Sequence, residues 1–186
     1  MNKPGSIRNL LINISKGDTH SFRLFYDRFF KQVLQFAHCF IKSDEICEEI
    51  VSDVFISIWL NKEKLVEIEN IDAYLFIITR NKSLNYHEKK IITAKPENEI
   101  TDAPQIEISN PESLLISKEL ETAIQYSISQ LPEKCRIIFQ MSRDLKLKHH
   151  QIAKILSISE NTVHAQMMIA INKLHKLLKN FICMLL

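Results

Sequence analysis

Glycine occurs only twice in 186 residues, at Gly5 and Gly17, and both precede the first long apolar pattern. A chain this poor in glycine has few residues suited to left-handed turns. It contains no Asn-Gly or Asp-Gly hairpin, and no glycine-rich loop that could cradle a nucleotide phosphate. Its apolar residues instead recur at spacings of three and four, the period of a helix. The expectation is an all-α fold of two small helical domains joined by a flexible linker, with no means of hydrolysing a nucleotide and no catalytic residues.

The helices are punctuated locally. Ser6 to Ser15 carries Ile7, Leu10, Leu11 and Ile14 on one face, with Gly17 just past its end. Asp18 is placed to cap a helix sided by Phe22, Phe25, Phe29, Val33, Ala37 and Phe40. Ser43 is placed to cap the next, with Ile46, Ile50, Val54 and Ile58 beneath. Another begins near Asn70 or Ile71 and carries Tyr74, Leu75 and Ile78. The period is lost over 91–111, where three of the five prolines fall. Asn110-Pro111 restarts helix, with Leu114, Ser117, Leu120, Ile124, Ile128 and Leu131 following, and Pro132 opens one more.

From Lys148 to Leu178 the pattern is two helices joined by a tight turn. Ile152, Leu156, Ile158 and Val163 are spaced to close on one seam, and Ala153 is small where the helices must approach. Ser159 is a natural N-cap, and Val163, Met167, Ala170, Leu174 and Leu177 form a buried stripe beyond it. The expected division is an N-terminal helical domain 1–90, an acidic proline-containing linker 91–111, and a C-terminal helix-turn-helix domain 112–186.

Charge follows the same division. Lys and Arg number 13 against 12 acidic residues over 1–90, 2 against 7 over 91–130, and 9 against 3 over 131–186. A basic C-terminal module suits a polyanion, although solvated surface lysines give the same count. Cys39, Cys47, Cys135 and Cys183 form no CxxC pair, and the first three fit as small buried hydrophobes in a reducing cytoplasm. His149 and His150 are adjacent and point to different sides of a helix, so no metal site is expected. Leu10-Leu11-Ile12 and the terminal Phe181 to Leu186 are too short for a signal peptide or a membrane span. A cytoplasmic protein without cofactor, small-molecule substrate or membrane insertion is expected.

Three surfaces are candidates for binding. Glu45, Glu48, Glu49 and Asp53 crowd one helix, which is either a solvated face or a dock for a basic protein surface with Phe55 and Trp59 as aromatic anchors. Arg80, Asn81, Lys82, Asn85 and Tyr86 gather amides, a ring and cations at a helix end. Such a set can hold unpaired bases and phosphates, but it can also merely complement the helix dipole. The second helix of the C-terminal pair turns Asn161, His164, Ala165 and Met168 outward, where a major-groove helix reads base edges; a hairpin that only packs is the alternative.

Taken in order, these pieces resemble the extracytoplasmic-function group of bacterial RNA polymerase sigma factors. The stretches that carry the resemblance are Glu48-Glu49-Ile50-Val51-Ser52-Asp53-Val54-Phe55 with Trp59, Ala73-Tyr74-Leu75 through Thr79-Arg80-Asn81, Leu131 to Phe139, and Gln151-Ile152-Ala153 to Thr162-Val163. The resemblance implies partners: core RNA polymerase, promoter DNA and an anti-sigma factor. It assigns core binding to Glu48, Glu49, Val51, Ser52, Asp53, Phe55 and Trp59. Minus-ten DNA falls to Arg80, Asn81, Lys82, Asn85 and Tyr86. Minus-thirty-five DNA falls to Asn161, Thr162, His164, Ala165, Gln166, Met168 and Lys173.

The chain also departs from that pattern. No Arg or Lys occurs from Ser159 to Asn172, Ser157 stands where the family's turn has glycine, Lys148 replaces a Ser or Thr cap, and Gln151 replaces a glutamate. Two alternatives therefore stay open: a stand-alone helix-turn-helix regulator, or a sigma-like partner-binding protein with weakened promoter recognition.

Overall fold

Side-chain oxygens placed just ahead of free N–H groups set where several of the helices begin. The computed structural model describes residues 7–93 and 112–185, and among them there is no strand. The elements are α1 (Ile7–Ser15), α2 (Thr19–His38), α3 (Asp44–Leu60), a 3-10 helix (Lys62–Glu67), α4 (Ile71–Thr93), α5 (Glu112–Ser129), α6 (Glu133–Arg143), α7 (His149–Leu156) and α8 (Glu160–Leu185). Asp18 accepts from the N–H groups of His20 and Ser21 at 3.3 and 3.0 Å. Ser43 accepts from Ile46 at 3.4 Å, Asn70 from Ala73 at 2.9 Å and Ser159 from Thr162 at 3.0 Å. Gly17 follows α1 with φ +89, a left-handed turn that glycine makes without strain.

The first module wraps α1, α3 and α4 around α2. Its core holds Phe25, Phe29, Val33, Ile50, Val54, Ile58 and Leu75, each worth about 1.5–3 kcal/mol when fully buried. Phe22, Phe25, Tyr26 and Phe55 meet ring to ring, with Phe55 4.6 Å from Tyr26 and 6.0 Å from Phe25. In the second module α5 packs on α8 through Ile128, Leu131, Ala170 and Leu174. There α6 and α7 close on α8 through Ile138, Met141, Ile152, Ile155, Val163 and Met167.

That last cluster also contains Phe36, Cys39 and Phe76, from α2 and α4. The modules thus share buried apolar surface, which the spacing in the sequence did not foretell. Cys39, Cys47 and Cys135 are buried and free, as expected.

The helix-turn-helix seam differs from expectation in one respect. Ile155 is buried, whereas Leu156 is half-buried and Ile158 is exposed, because the turn at Ser157 rotates the chain away from the seam. Helix α4 runs to Thr93, past the expected boundary at 90. The rest of the expected linker and the Asn110-Pro111 start lie outside the described residues, as do the side chains of Leu114, Ser117, Leu120 and Cys183. Among the described residues no helix is long and apolar enough to cross a membrane.

Candidate nucleic-acid and protein-docking surfaces

Helix α3 carries its acidic face on a buried apolar back. Glu45, Glu48, Glu49, Ser52 and Asp53 are exposed, and the Ser52 hydroxyl donates to the Glu48 carbonyl at 2.9 Å. Val51 and Phe55, expected among the docking residues, are buried in the module's own core and present no surface to a partner. Phe55 is covered by the Phe22, Phe25 and Tyr26 rings of α2. Trp59 is half-buried, its ring 4.9 Å from Phe22 and under the Lys62 ammonium at 5.1 Å.

What the sequence reading missed is apolar. Ile56 is 56% and Leu60 73% exposed, and both continue the row of Glu49 and Asp53 at helical spacing. The signal was present, since neither fits the Ile46-Ile50-Val54-Ile58 stripe.

Helix α4 is engaged on more than one side. Ile71, Leu75 and Ile78 face the first core, and Phe76 faces the second module. Asn81 and Asn85 are exposed; Arg80, Lys82 and Tyr86 are half-buried. Lys82 reaches back to Asp53 at 3.5 Å, an exposed pair of small energetic worth that nonetheless joins the acidic face to the amide face. Arg80 donates through Nε and Nη2 to Asn81 Oδ1 at 3.1 and 2.9 Å. Its Nη1 donates to the Ile155 carbonyl and lies 3.2 Å from Ser157 Oγ, both in the second module.

The turn between α7 and α8 places Ser157 at φ 58, where an L-residue is strained by about 1–2 kcal/mol. At the start of α7, Lys148 donates its N–H to Gln151 Oε1 at 2.9 Å. An ammonium has no acceptor to return, so this cap is one-sided. On α8, Asn161, Thr162, His164, Ala165, Met168 and Lys173 are exposed, as are Ile169 and Ile171. Thr162 shares a hydrogen bond with Ser159 Oγ at 2.8 Å, and His164 meets His149 edge-on at 6.0 Å.

Gln166 departs from the expected set. It is half-buried, and its Oε1 accepts from the Cys135 thiol at 2.9 Å, so it ties α8 to α6 rather than facing outward with a free amide. Lys146, Lys148, Lys154 and Lys176 are exposed around the helix pair.

Burial pushes the Cys39 thiol up to about 12, with the Asp144 carboxylate adding to it. It likewise pushes Cys47 up to about 12, with Asp44 as the lesser cause. Both are poor nucleophiles in the folded chain. Among the described residues no group of three or more His, Cys, Asp or Glu side chains could hold a metal ion.

Two family models match this chain: Sigma-70 region 2 over residues 25–90 and Sigma-70, region 4 over residues 121–174. The ECF RNA polymerase sigma-E factor of Escherichia coli (strain K12) is 24% identical over 165 residues, which covers 84% of this chain and 86% of that protein. The RNA polymerase sigma factor SigZ of Bacillus subtilis (strain 168) is 23% identical over 154 residues, covering 83% and 85%. Among solved structures, CnrH in complex with the cytosolic domain of CnrY superposes with a TM-score of 0.63 at 18% identity, over 93% of this chain and 97% of that one.

Proposed function

This chain belongs to the sigma factors of the extracytoplasmic-function group, and from that premise we propose how its surfaces divide the work of initiation. As a sigma factor it binds core RNA polymerase and directs promoter recognition and opening. The docking face is the exposed row of α3: Glu48, Glu49, Ser52 and Asp53, extended by Ile56 and Leu60. Carboxylates steer and register a basic partner, and the two exposed aliphatic side chains supply area to bury.

The minus-ten element goes to Asn81 and Asn85 with Arg80, Lys82 and Tyr86. The minus-thirty-five element goes to Asn161, Thr162, His164, Ala165 and Met168, with Lys173 and the lysines around α7 on phosphate. The carrying observation is the Lys82–Asp53 pair, which sets the acidic docking row and the amide row side by side on one packed module.

The chain works without catalysis, in the cytoplasm, and without a cofactor. Strand opening is then driven by binding alone: capturing an unstacked base costs a few kcal/mol, which stacking and amide hydrogen bonds offset. Regulation falls to a separate anti-sigma protein, the partner that the family implies. The test is a charge reversal. Glu49→Lys with Asp53→Lys should keep the fold and lose core polymerase in co-purification, since repulsion across a charged interface costs several kcal/mol. Undiminished core binding by the folded double variant would remove α3 as the dock.

A second reading has its own support. The outer side of α8 exposes Met168, Ile169 and Ile171 and carries no Arg or Lys up to Asn172, which suits a protein partner better than a phosphate backbone. Under it, scrambling the minus-thirty-five element leaves transcription unchanged; under the first reading transcription falls.

A further inference from the structure

We propose that His149 and His164 form an imidazole pair that grips a backbone phosphate of duplex DNA in its protonated form, supplying the positive charge that the recognition helix otherwise lacks. The inference rests on the reading of α8 as the minus-thirty-five helix, and adds to it a contact from α7 and a dependence on protons.

A helix that enters a major groove runs between two rows of phosphates, and contacts to them fix its register and supply much of its affinity. From Ser159 to Asn172 the single residue among Asp, Glu, Lys and Arg is Glu160. With its histidine neutral, this reading half of α8 carries one negative charge and no positive one, which repels a phosphate. His164 is the one residue on that half that can gain a positive charge. It stands exposed, one helical turn past Glu160.

His149 brings a second such group from the neighbouring helix. Its ring meets that of His164 edge-on, with centroids 6.0 Å apart and planes at 84°. The pair thus straddles the two helices of the motif, His149 half-buried and His164 exposed. Among the described residues neither imidazole is held by a hydrogen bond or an ion pair, so both can turn to a phosphate. Two imidazolium ions that close repel each other, and a phosphate beside both offsets the repulsion. Charge on the rings and DNA on the helix then favour one another, so binding takes up protons. Imidazole is the side chain whose charge ordinarily changes between about pH 5 and pH 8, which puts this linkage in the physiological range.

The charges around the pair are engaged elsewhere or are of a kind that does not switch there. Lys148, next to His149, is an exposed lysine, a class that stays positive across this range. His150 lines a cleft of about 380 Å³ together with Gln32 and Asp72 of the first module. At the end of α6, Arg143 and Asp144 pair with each other at 2.6 Å. Arg80 of α4 reaches the opposite end of α7, where it donates to the Ile155 carbonyl. On α5, Glu121 is exposed.

The test is affinity against pH at fixed ionic strength, with the full chain and a rhodamine-labelled duplex of mixed sequence, since phosphate contacts need no particular bases. Kd should fall about tenfold or more from about pH 7.5 to about pH 6. His149→Gln or His164→Gln should each reduce that slope, and the double variant should bind weakly and alike at both. His150→Gln should keep the wild-type slope. His149→Lys with His164→Lys makes the charge permanent, and should bind at the higher pH as tightly as wild type does at the lower.

Calorimetric titration near neutral pH in PIPES and in Tris buffer reads the same protons directly, from the difference in heat. Wild type should take up about one proton or more, and the double glutamine variant none. Equal affinity at both pH values in the wild type, or a pH dependence that survives the double glutamine variant, would overturn the pair. A full chain that binds the duplex at neither pH would instead sink the minus-thirty-five reading on which the pair rests.

Discussion

At Ser157 two demands conflict, since the backbone calls for glycine and Arg80 calls for a hydroxyl. Ser157→Gly should relieve about 1–2 kcal/mol of left-handed strain and return about 0.5–1 to the freer unfolded chain. In an Arg80→Ala background, where no bond to the hydroxyl is at stake, thermal unfolding should therefore show a small gain in stability, and a net loss there would mean that the turn is not strained. Asp18 makes a different prediction. Its carboxylate accepts from the Ser21 hydroxyl and from the Ser21 and His20 N–H groups, which hold its pKa below the usual range. A group depressed by folding stabilises above its unfolded pKa and loses that contribution as pH falls through the folded one. Asp18→Ala should thus lower Tm at pH 7 and approach wild type near pH 2; a gap independent of pH would show that the charge is irrelevant to the cap. Caps of this kind were legible in the sequence because donor and acceptor lie within three residues. Arg80 was not, because its carbonyl partner lies 75 positions away.

Among the elements, α3 shows where periodicity suffices and where it fails. The buried back of Ile50, Val54 and Ile58 was readable from spacing, whereas Val51 and Phe55 are buried as well because the core covers a wider arc of α3 than one stripe. Ile56→Ser with Leu60→Ser should weaken core-polymerase binding while leaving stability within about 0.5 kcal/mol of wild type, as for exposed sites generally. A large loss of stability would place both side chains in the fold instead. On α8 the outward set was legible from the buried stripe, except for Gln166, which turns to a thiol on another helix. Gln166→Ala should cost about 1 kcal/mol of stability through the lost Cys135 bond and leave base preference alone. Asn161→Ala should instead relax preference at one minus-thirty-five position by about 1–3 kcal/mol. Binding-site selection with the full chain and each variant separates the two, and a shifted consensus for Gln166→Ala would return it to the reading surface.

For the whole molecule, helical class, module order and the basic C-terminus were all present in the sequence, since each depends on local pattern or on counting. The packing of Phe36 and Phe76 against the second module was not. Its only trace is a large apolar residue, Phe76, standing off the Tyr74-Leu75-Ile78 stripe of its own helix. That placement leaves α4 with hardly a bare side: Ile71 and Leu75 serve one core, Phe76 and Arg80 the other module, and Asn81 and Asn85 face outward. A helix so committed has little room for neutral drift. Random substitution under selection for transcription should leave it with the fewest changes of all the elements, while selection for polymerase binding alone should free its Arg80 and Asn81 side and keep Leu75 as intolerant as before.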